Sequence, residues 1–283
     1  MTSNPELHKA DFDDIYDQPD PRAYYSTLEP YDYVIPQYGA ELFARLLERR
    51  ATGRAEPPTM LDVCCSYGVV STILKTGLDI KDLYAHYGDP ETQSLSAEQL
   101  IAADRRLLQE HRQPDAPDVV GLDVAENAVA YALTTGALDA GVSENLEEND
   151  PSPQLAQMLG SLDLIATTGG IGYVSERTFD RLLQVVPDSV WVASFCLRTY
   201  DYGPIADRLG QHGLSTESVP RTFRQRRFTG PEEKEWAVSE VRSRGFDPTG
   251  KEEDGYHHAQ FYLSRPAREV AEQPLDVLLP EQF

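Results

Sequence analysis

The chain has no hydrophobic run of the roughly 18 or more residues that a membrane-spanning helix needs, so no span is expected and no membrane partner. Its opening stretch, MTSNPELHKADFDD, lacks the apolar core of a secretory signal, which places the expected location in the cytoplasm. Cysteine is scarce: there are three, Cys64, Cys65 and Cys196, with no C-x-x-C spacing. A disulfide framework and a cysteine-rich metal site are thereby excluded, and a reducing compartment fits. Lysine is scarcer than arginine, five of the 25 basic residues, against 47 acidic ones. The resulting net charge of -22 repels phosphate backbones and disfavours a nucleic-acid partner. Acid-rich, lysine-poor composition suits either a salty cytoplasm or a GC-rich genome that favours arginine. No internal repeat and no low-complexity tract is present.

What is present suffices for one large domain or a domain with a cap: 283 residues, 40% hydrophobic. Residues 1–56 read as an N-terminal lid or cap segment. They hold PDPRAYYSTLEPYDYVIPQYG (19–39), whose prolines argue against a long regular helix, and then YGAELFARLLERR, with Leu42, Phe43, Leu46 and Leu47 on one helical face. A tyrosine-rich segment of this kind either folds over a ligand mouth or packs as an ordinary loop. Residues 57–266 alternate strand and helix. Strands are expected near 59–64, 118–124, 162–168 and 189–197, each followed by a helical pattern, and a weaker one somewhere in 141–148. Such alternation predicts a mostly parallel sheet covered on both faces. The end differs: a strand at 221–228, a helix in EEKEWAVSEVRSRG and a last strand at 256–266, then a polar tail, 267–283, expected to be loose. Residues 78–117 form a long insertion holding SAEQLIAADRRLLQEHR, a helix with Ser96 as N-cap and Glu98 in its first turn, expected to cap the edge of the site.

The most informative segment is TMLDVCCSYG (59–68), a short strand ending in an acid and breaking into a tight turn before the helix VVSTILK. A strand, a tight turn and a helix present backbone N–H groups to a nucleotide-like ligand. A second strand ends at Asp123, and a fourth, starting at Asp163, ends in the glycine-rich turn 169-GGIGY-173. With these landmarks the chain resembles the class I (Rossmann-like) S-adenosylmethionine-dependent methyltransferases over residues 59–265. The family's first turn reads D-x-G-x-G-x-G; here the same positions are Asp62, Cys64, Ser66 and Gly68, so only the last glycine survives. The resemblance implies an α/β, Rossmann-like, seven-stranded, mostly parallel sheet with helices on both faces and an antiparallel last strand. It implies S-adenosylmethionine as cofactor and S-adenosylhomocysteine as product. It puts Asp62, Cys64, Cys65, Ser66, Tyr67, Gly68, Asp123, Val124, Thr168 and Gly169 at the cofactor, with Asp62 near the amino-acid moiety and Asp123 on the ribose hydroxyls. Cys64 is expected to take β or bridge geometry, because a positive φ is costly for it, and Tyr67 to stack on or cap the ligand. Asp123 also reads as an N-cap for AENAVAYA.

The same resemblance places acceptor contacts in the turn from Thr168 to Tyr173. Arg198, after the fifth strand, could hold a carboxylate or phosphate, although an internally paired arginine is the plainer reading. His257 or His258 could serve as a general base, with a core histidine the plainer reading. Candidate catalytic residues are therefore Tyr173, His257 and Arg198, and no metal is expected. Strand alternation would send Arg224 and Arg226 to one face and Arg227 to the other. Together with Arg221 they read either as internal ion-pair partners or as an anion-binding patch. The expected function is methyl transfer to a small-molecule acceptor, in which in-line positioning of a strong electrophile supplies much of the acceleration. No H-x-E, P-C-x-x-C, D-P-P-Y or N-P-P-Y pattern occurs, so the usual marks of base-modifying nucleic-acid enzymes are missing. Two alternatives stand beside it: a non-catalytic binding or interaction protein on the same fold, which the lost glycines motivate, and a NAD(P)-binding protein. The second lacks G-x-G-x-x-G and the acid ~20 residues on; Asp123 lies 61 residues after Asp62, and Asp79 and Asp82 stand nearer but in no strand pattern. The sequence is compatible with a homodimer.

Overall fold

Near-continuous apolar runs in the central strands of the 59–266 region give the sheet two buried faces, and helices cover both. A computed structural model describes residue 10 and residues 12–279. Among the described residues two α-helices precede the sheet, α1 (Arg22–Leu28) and α2 (Ile35–Ala51). Then follow β1 (Thr59–Val63), α3 (Val69–Thr76), three helices in the insertion, α4 (Ile80–Gly88), α5 (Pro90–Ser94) and α6 (Ala97–His111), and β2 (Asp118–Asp123). The middle of the chain supplies α7 (Glu126–Thr135), β3 (Ala140–Ser143), α8 (Pro153–Met158), β4 (Leu164–Thr167), α9 (Glu176–Leu182), β5 (Trp191–Leu197) and α10 (Gly203–Gln211). The chain closes with β6 (Leu214–Arg227), α11 (Pro231–Ser243), β7 (Tyr256–Pro266), α12 (Ala267–Glu272) and α13 (Leu275–Leu278).

The strands form one seven-stranded sheet in the order β3-β2-β1-β4-β5-β7-β6. Six run one way; β7 lies antiparallel to both β5 and β6. This is the Rossmann-like architecture that the resemblance implies. Strand alternation divides the core as the pleat requires. Met60, Leu164, Ala166, Trp191 and Phe195 face one hydrophobic cluster with α2, α3 and α7, while Leu61, Val63, Ile165, Val192 and Cys196 face the other with α8, α9 and α10. No helix among the described residues is long and apolar enough to cross a membrane.

Local chemistry explains several boundaries. Ser96 caps α6 as the spacing predicts, its Oγ accepting from Gln99 N at 3.3 Å while Gln99 Oε1 accepts from Ser96 N at 3.0 Å. Asp79 and Asp82 form the same reciprocal cap on α4, a structural task far from any nucleotide role. In the proline-rich preamble α1 has only seven residues, and α2 starts with Pro36 in its first turn, where the missing N–H is harmless.

The structure departs from the sequence expectations in four places outside the site. Strand β6 begins at Leu214, well before the expected residue 221, because it pairs with β7 along its length. A register shift between Arg224 and Arg227 breaks the alternation, so Arg226 is buried along with Gln225 while Arg224 and Arg227 stay exposed. Buried Arg226 pairs with Glu233 at 2.6 Å; Arg221 lies over Phe223, and Arg224 and Arg227 lie over Tyr256. The segment after Pro266 is not loose: α12 and α13 form, and Leu275, Leu278 and Leu279 are buried against the core, while residues 280–283 lie outside the described residues. Finally, the 78–117 insertion packs against α1, α3 and α7 and supports the N-terminal segment from behind.

Candidate functional site

At the carboxyl ends of β1, β2, β3 and β4 lies a cavity of about 530 Å³, within the range of small-ligand sites. Its floor is the β1 turn: Asp62, Val63, Cys64, Cys65 and Ser66 line it. One wall is Asp123, Val124 and Ala125 after β2, and Glu144 to Glu147 after β3 extend that wall. Thr168, Gly169, Tyr173 and Val174 after β4 form the opposite side. The roof comes from the N-terminal segment, through Asp13, Tyr16, Asp17, Tyr24, Tyr33 and Pro36.

The turn keeps the backbone of a glycine-rich loop without the glycines. Cys64 has φ +60° and Ser66 φ +48°, and Gly68, which caps α3, has φ +72°. The expectation of β or bridge geometry at Cys64 is therefore corrected. The alternation is held by backbone bonds, Cys64 N to Leu122 O at 2.8 Å and Gly68 N to Cys65 O at 2.9 Å, and by the Asp123 carboxylate, which accepts from Ser66 N at 2.7 Å. Left-handed backbone at two non-glycine residues costs about 1–2 kcal/mol each, a strain the surrounding bonds over-determine.

Two polar groups on this floor have no hydrogen-bond partner. Asp62 is 2% exposed, and its Oδ2 is unpaired; so is the Oγ of buried Ser66. Burial, reinforced by the Asp123 charge, pushes the Asp62 carboxyl up to about 8. Burial also raises Asp123, against the backbone N–H groups of Ala125, Ser66 and Val124. Burial and the nearby carboxylates hold the Cys64 thiol well above its ordinary value, so it is an inert wall rather than a nucleophile. Val124 is 66% exposed, an apolar side chain at the rim beside Asp123.

Most of the residues that the sequence assigns to the cofactor meet at this cavity: Asp62, Cys64, Cys65, Ser66, Asp123, Val124, Thr168 and Gly169 all line it. Tyr67 and Gly68 do not. Tyr67 turns behind the turn, where its hydroxyl accepts from Gln18 N at 2.8 Å and donates to the Ile15 and Gln18 carbonyls, so it fastens the roof instead of capping a ligand. Asp123 does not cap α7: Asp17 of the roof does, accepting from Asn127 N at 2.8 Å. Of the candidate catalytic residues, Tyr173 lines the cavity and donates to Asp13 Oδ1 at 3.1 Å. Arg198 and His257 lie elsewhere. Arg198 is 4% exposed, paired with Glu252 at 2.8 Å and donating to the Asp247 carbonyl. His257 is fully buried, with Nε2 3.1 Å from Glu233. Both are held by internal carboxylate partners, and neither lines the cavity. The 78–117 insertion contributes no lining residue either.

Sequence reading missed the roof residues one by one. Their signal was the density of tyrosine before residue 40, which marks a segment but not a position. It also missed Glu144 and Glu147. These are engaged by Ser152, Ser175 and Thr178; burial opposes ionisation of Glu147, yet the Ser175 and Thr178 bonds hold it below the ordinary carboxylate value. Among the described residues no cluster of His, Cys, Asp and Glu could hold a metal ion.

No protein-family model matches the chain, and no curated protein matches it. Among solved structures it is similar to a TehB-like SAM-dependent methyltransferase from Corynebacterium glutamicum, at 14% identity over 77% of this chain and 85% of that one, with a TM-score of 0.39. The magnesium protoporphyrin IX methyltransferase from Synechocystis, solved with bound SAH, is similar at 13% identity over 81% and 83%, with a TM-score of 0.39. The YcgJ protein from Bacillus subtilis shares 11% identity over 81% and 97%, with a TM-score of 0.44. Likeness at this level bears on fold alone.

Proposed function

We propose that the chain binds S-adenosylmethionine on the β1 turn and transfers its methyl group to a small-molecule acceptor held under the N-terminal roof. The observation that carries this reading is the floor of the cavity. A loop with φ positive at residues 64, 66 and 68 ends beside two buried, unpaired polar atoms, Asp62 Oδ2 and Ser66 Oγ. A buried polar atom without a partner is costly, and an amino-acid ammonium group is the donor that this carboxylate lacks. The Asp123 carboxylate stands at the end of β2 for ribose hydroxyls, and exposed Val124 offers an apolar surface to a base. When bound, the cofactor supplies an electrophilic methyl group. The chain's own part is to orient: a roofed cavity excludes water and fixes the approach of the acceptor.

The non-catalytic alternative was motivated by the lost glycines. The positive φ at residues 64, 66 and 68 keeps the conformation those glycines would allow, which supports the binding reading over that alternative. The test is calorimetric titration with S-adenosylhomocysteine. Micromolar binding is expected, with Asp123→Ala lowering affinity about 10- to 100-fold, the loss of one or two hydrogen bonds to a charged acceptor at about 1.5–3 kcal/mol. No heat and no thermal shift with the unaltered protein would sink the reading.

A further inference from the structure

Most buried tyrosine hydroxyls in this fold are spent on partners. Tyr67 donates to the Ile15 and Gln18 carbonyls, Tyr84 to the Tyr33 carbonyl, Tyr131 to the Asp104 carboxylate and Tyr202 to Ser194 Oγ. That is the ordinary state of a buried phenol, whose hydroxyl gives up water on folding and needs a replacement. Tyr24 and Tyr33 differ. They are 3% and 8% exposed, yet among the described residues neither hydroxyl has a hydrogen-bond partner. Tyr25 shares that lack but takes no part in the cavity lining, whereas Tyr24 and Tyr33 both line it.

A second observation is how firmly the unused hydroxyl of Tyr33 is presented. The Tyr33 carbonyl accepts from Tyr84 Oη at 2.8 Å, and the N–H of Val34 donates to the Gln225 carbonyl of β6 at 2.9 Å. The Tyr24 and Tyr33 rings meet edge to face, with centroids 6.3 Å apart. Across the cavity stands the turn after β4, where the first side-chain carbon of any residue replacing Gly169 would come within 2.9 Å of the Tyr33 hydroxyl. Glycine there leaves the hydroxyl uncovered on that side. Burial holds both phenols well above their ordinary value, so they stay neutral. Pro36, Val69 and Val70 add apolar surface to the same lining. A phenol hydroxyl both donates and accepts, and a hydroxyl or carbonyl oxygen answers it without the desolvation cost of a charge.

We infer that Tyr24 and Tyr33 are the residues that recognise the acceptor, and that they select small molecules carrying a hydroxyl or carbonyl oxygen on an apolar frame, the class of phenols and ketones. This rests on the methyltransferase reading and names the substrate class which that reading leaves open. A site built to hydrogen-bond a substrate oxygen rejects the analogue that lacks it, because its own buried hydroxyls are then left unpaired.

The test uses the full chain and two matched pairs of uncharged probes, phenol with benzene and cyclopentanone with cyclopentene. Each is titrated calorimetrically into protein saturated with S-adenosylhomocysteine, and into protein without it. In at least one pair the oxygenated probe is expected to bind about 10-fold tighter than its hydrocarbon. Tyr33→Phe should cut that preference to about threefold, and the double variant Tyr24→Phe, Tyr33→Phe should abolish it. Melting of the ligand-free proteins gives a separate readout. A hydroxyl without a partner in the fold supplies no bond to lose, so Tyr33→Phe should melt at the same temperature as the unaltered protein or higher. Hydrocarbons that bind as tightly as their oxygenated counterparts, no binding of either oxygenated probe at millimolar concentration, a preference that survives in the double variant, or a lower melting temperature for Tyr33→Phe would overturn the inference. Absence of S-adenosylhomocysteine binding would instead overturn the cofactor reading, and the titrations without it would still report the oxygen preference.

Discussion

Asp62 carries the sharpest consequence at the scale of single residues. Its carboxyl moves from the usual 3.8 to about 8 on folding because it is buried next to Asp123. Between those two values the folded chain holds a proton that the unfolded chain has released. Stability contributed by the neutral acid is therefore complete below about 4 and is lost as pH rises through 8. Melting temperatures of the ligand-free protein should fall across that interval more steeply than those of Asp62→Asn; parallel curves would refute the assignment. Binding of a ligand ammonium at Asp62 should release a proton at pH 7, visible as a dependence of calorimetric heat on the buffer's ionisation enthalpy. Ser66 gives a second prediction. Its φ of +48° and its orphaned hydroxyl both oppose folding. Ser66→Gly should raise stability by about 1 kcal/mol, after the glycine's extra chain entropy is set against relief of strain, while weakening S-adenosylhomocysteine a few-fold. The position of the turn was legible from Asp62 and Gly68 and from the apolar run after them. Its conformation was not, because local propensity argues against left-handed cysteine and serine, and only the Leu122 and Asp123 contacts from the next strand override it.

Between elements, the N-terminal segment is held over the cavity by bonds from several parts of the chain. Tyr67 beneath the β1 turn bonds Ile15 and Gln18, α7 is capped by Asp17, Tyr173 reaches Asp13, and Glu233 accepts from Ala10 N at 3.0 Å. Tyr67→Phe removes one hydroxyl with three of these bonds, at a cost of about 1–3 kcal/mol. Limited proteolysis should then cut near residues 10–20 sooner, and S-adenosylhomocysteine should dissociate faster, with the sheet's melting little altered beyond that cost. Unchanged cleavage and dissociation would show that the roof stands without Tyr67. Elements such as the strand-helix alternation and the α6 cap could be read from periodicity and Ser96. The fates of Arg198, His257 and Arg226 could not. Their partners, Glu252 and Glu233, come from segments 54, 24 and 7 residues away, and pairings of that kind are set by tertiary packing rather than by any local pattern.

For the molecule as a whole, a net charge of -22 makes a field that draws cations toward the cavity. S-adenosylmethionine carries one more positive charge than S-adenosylhomocysteine. Its association rate, relative to that of the product, should fall several-fold as ionic strength rises from about 10 to 500 mM, and stopped-flow measurements on both ligands would check this. A ratio independent of salt would mean that the surface acidity has no part in capture.

The roof and the floor of the cavity come from stretches of chain that share no strand. Residues before position 40 supply the roof under which the acceptor is proposed to sit, whereas the contacts proposed for the common methyl donor lie at the ends of β1 and β2. Such a division lets the two specificities drift separately. Exchange of the leading segment for another of similar length could redirect the proposed transfer toward a new metabolite and leave the proposed donor contacts intact, a natural entry point for anyone wishing to re-engineer the chain.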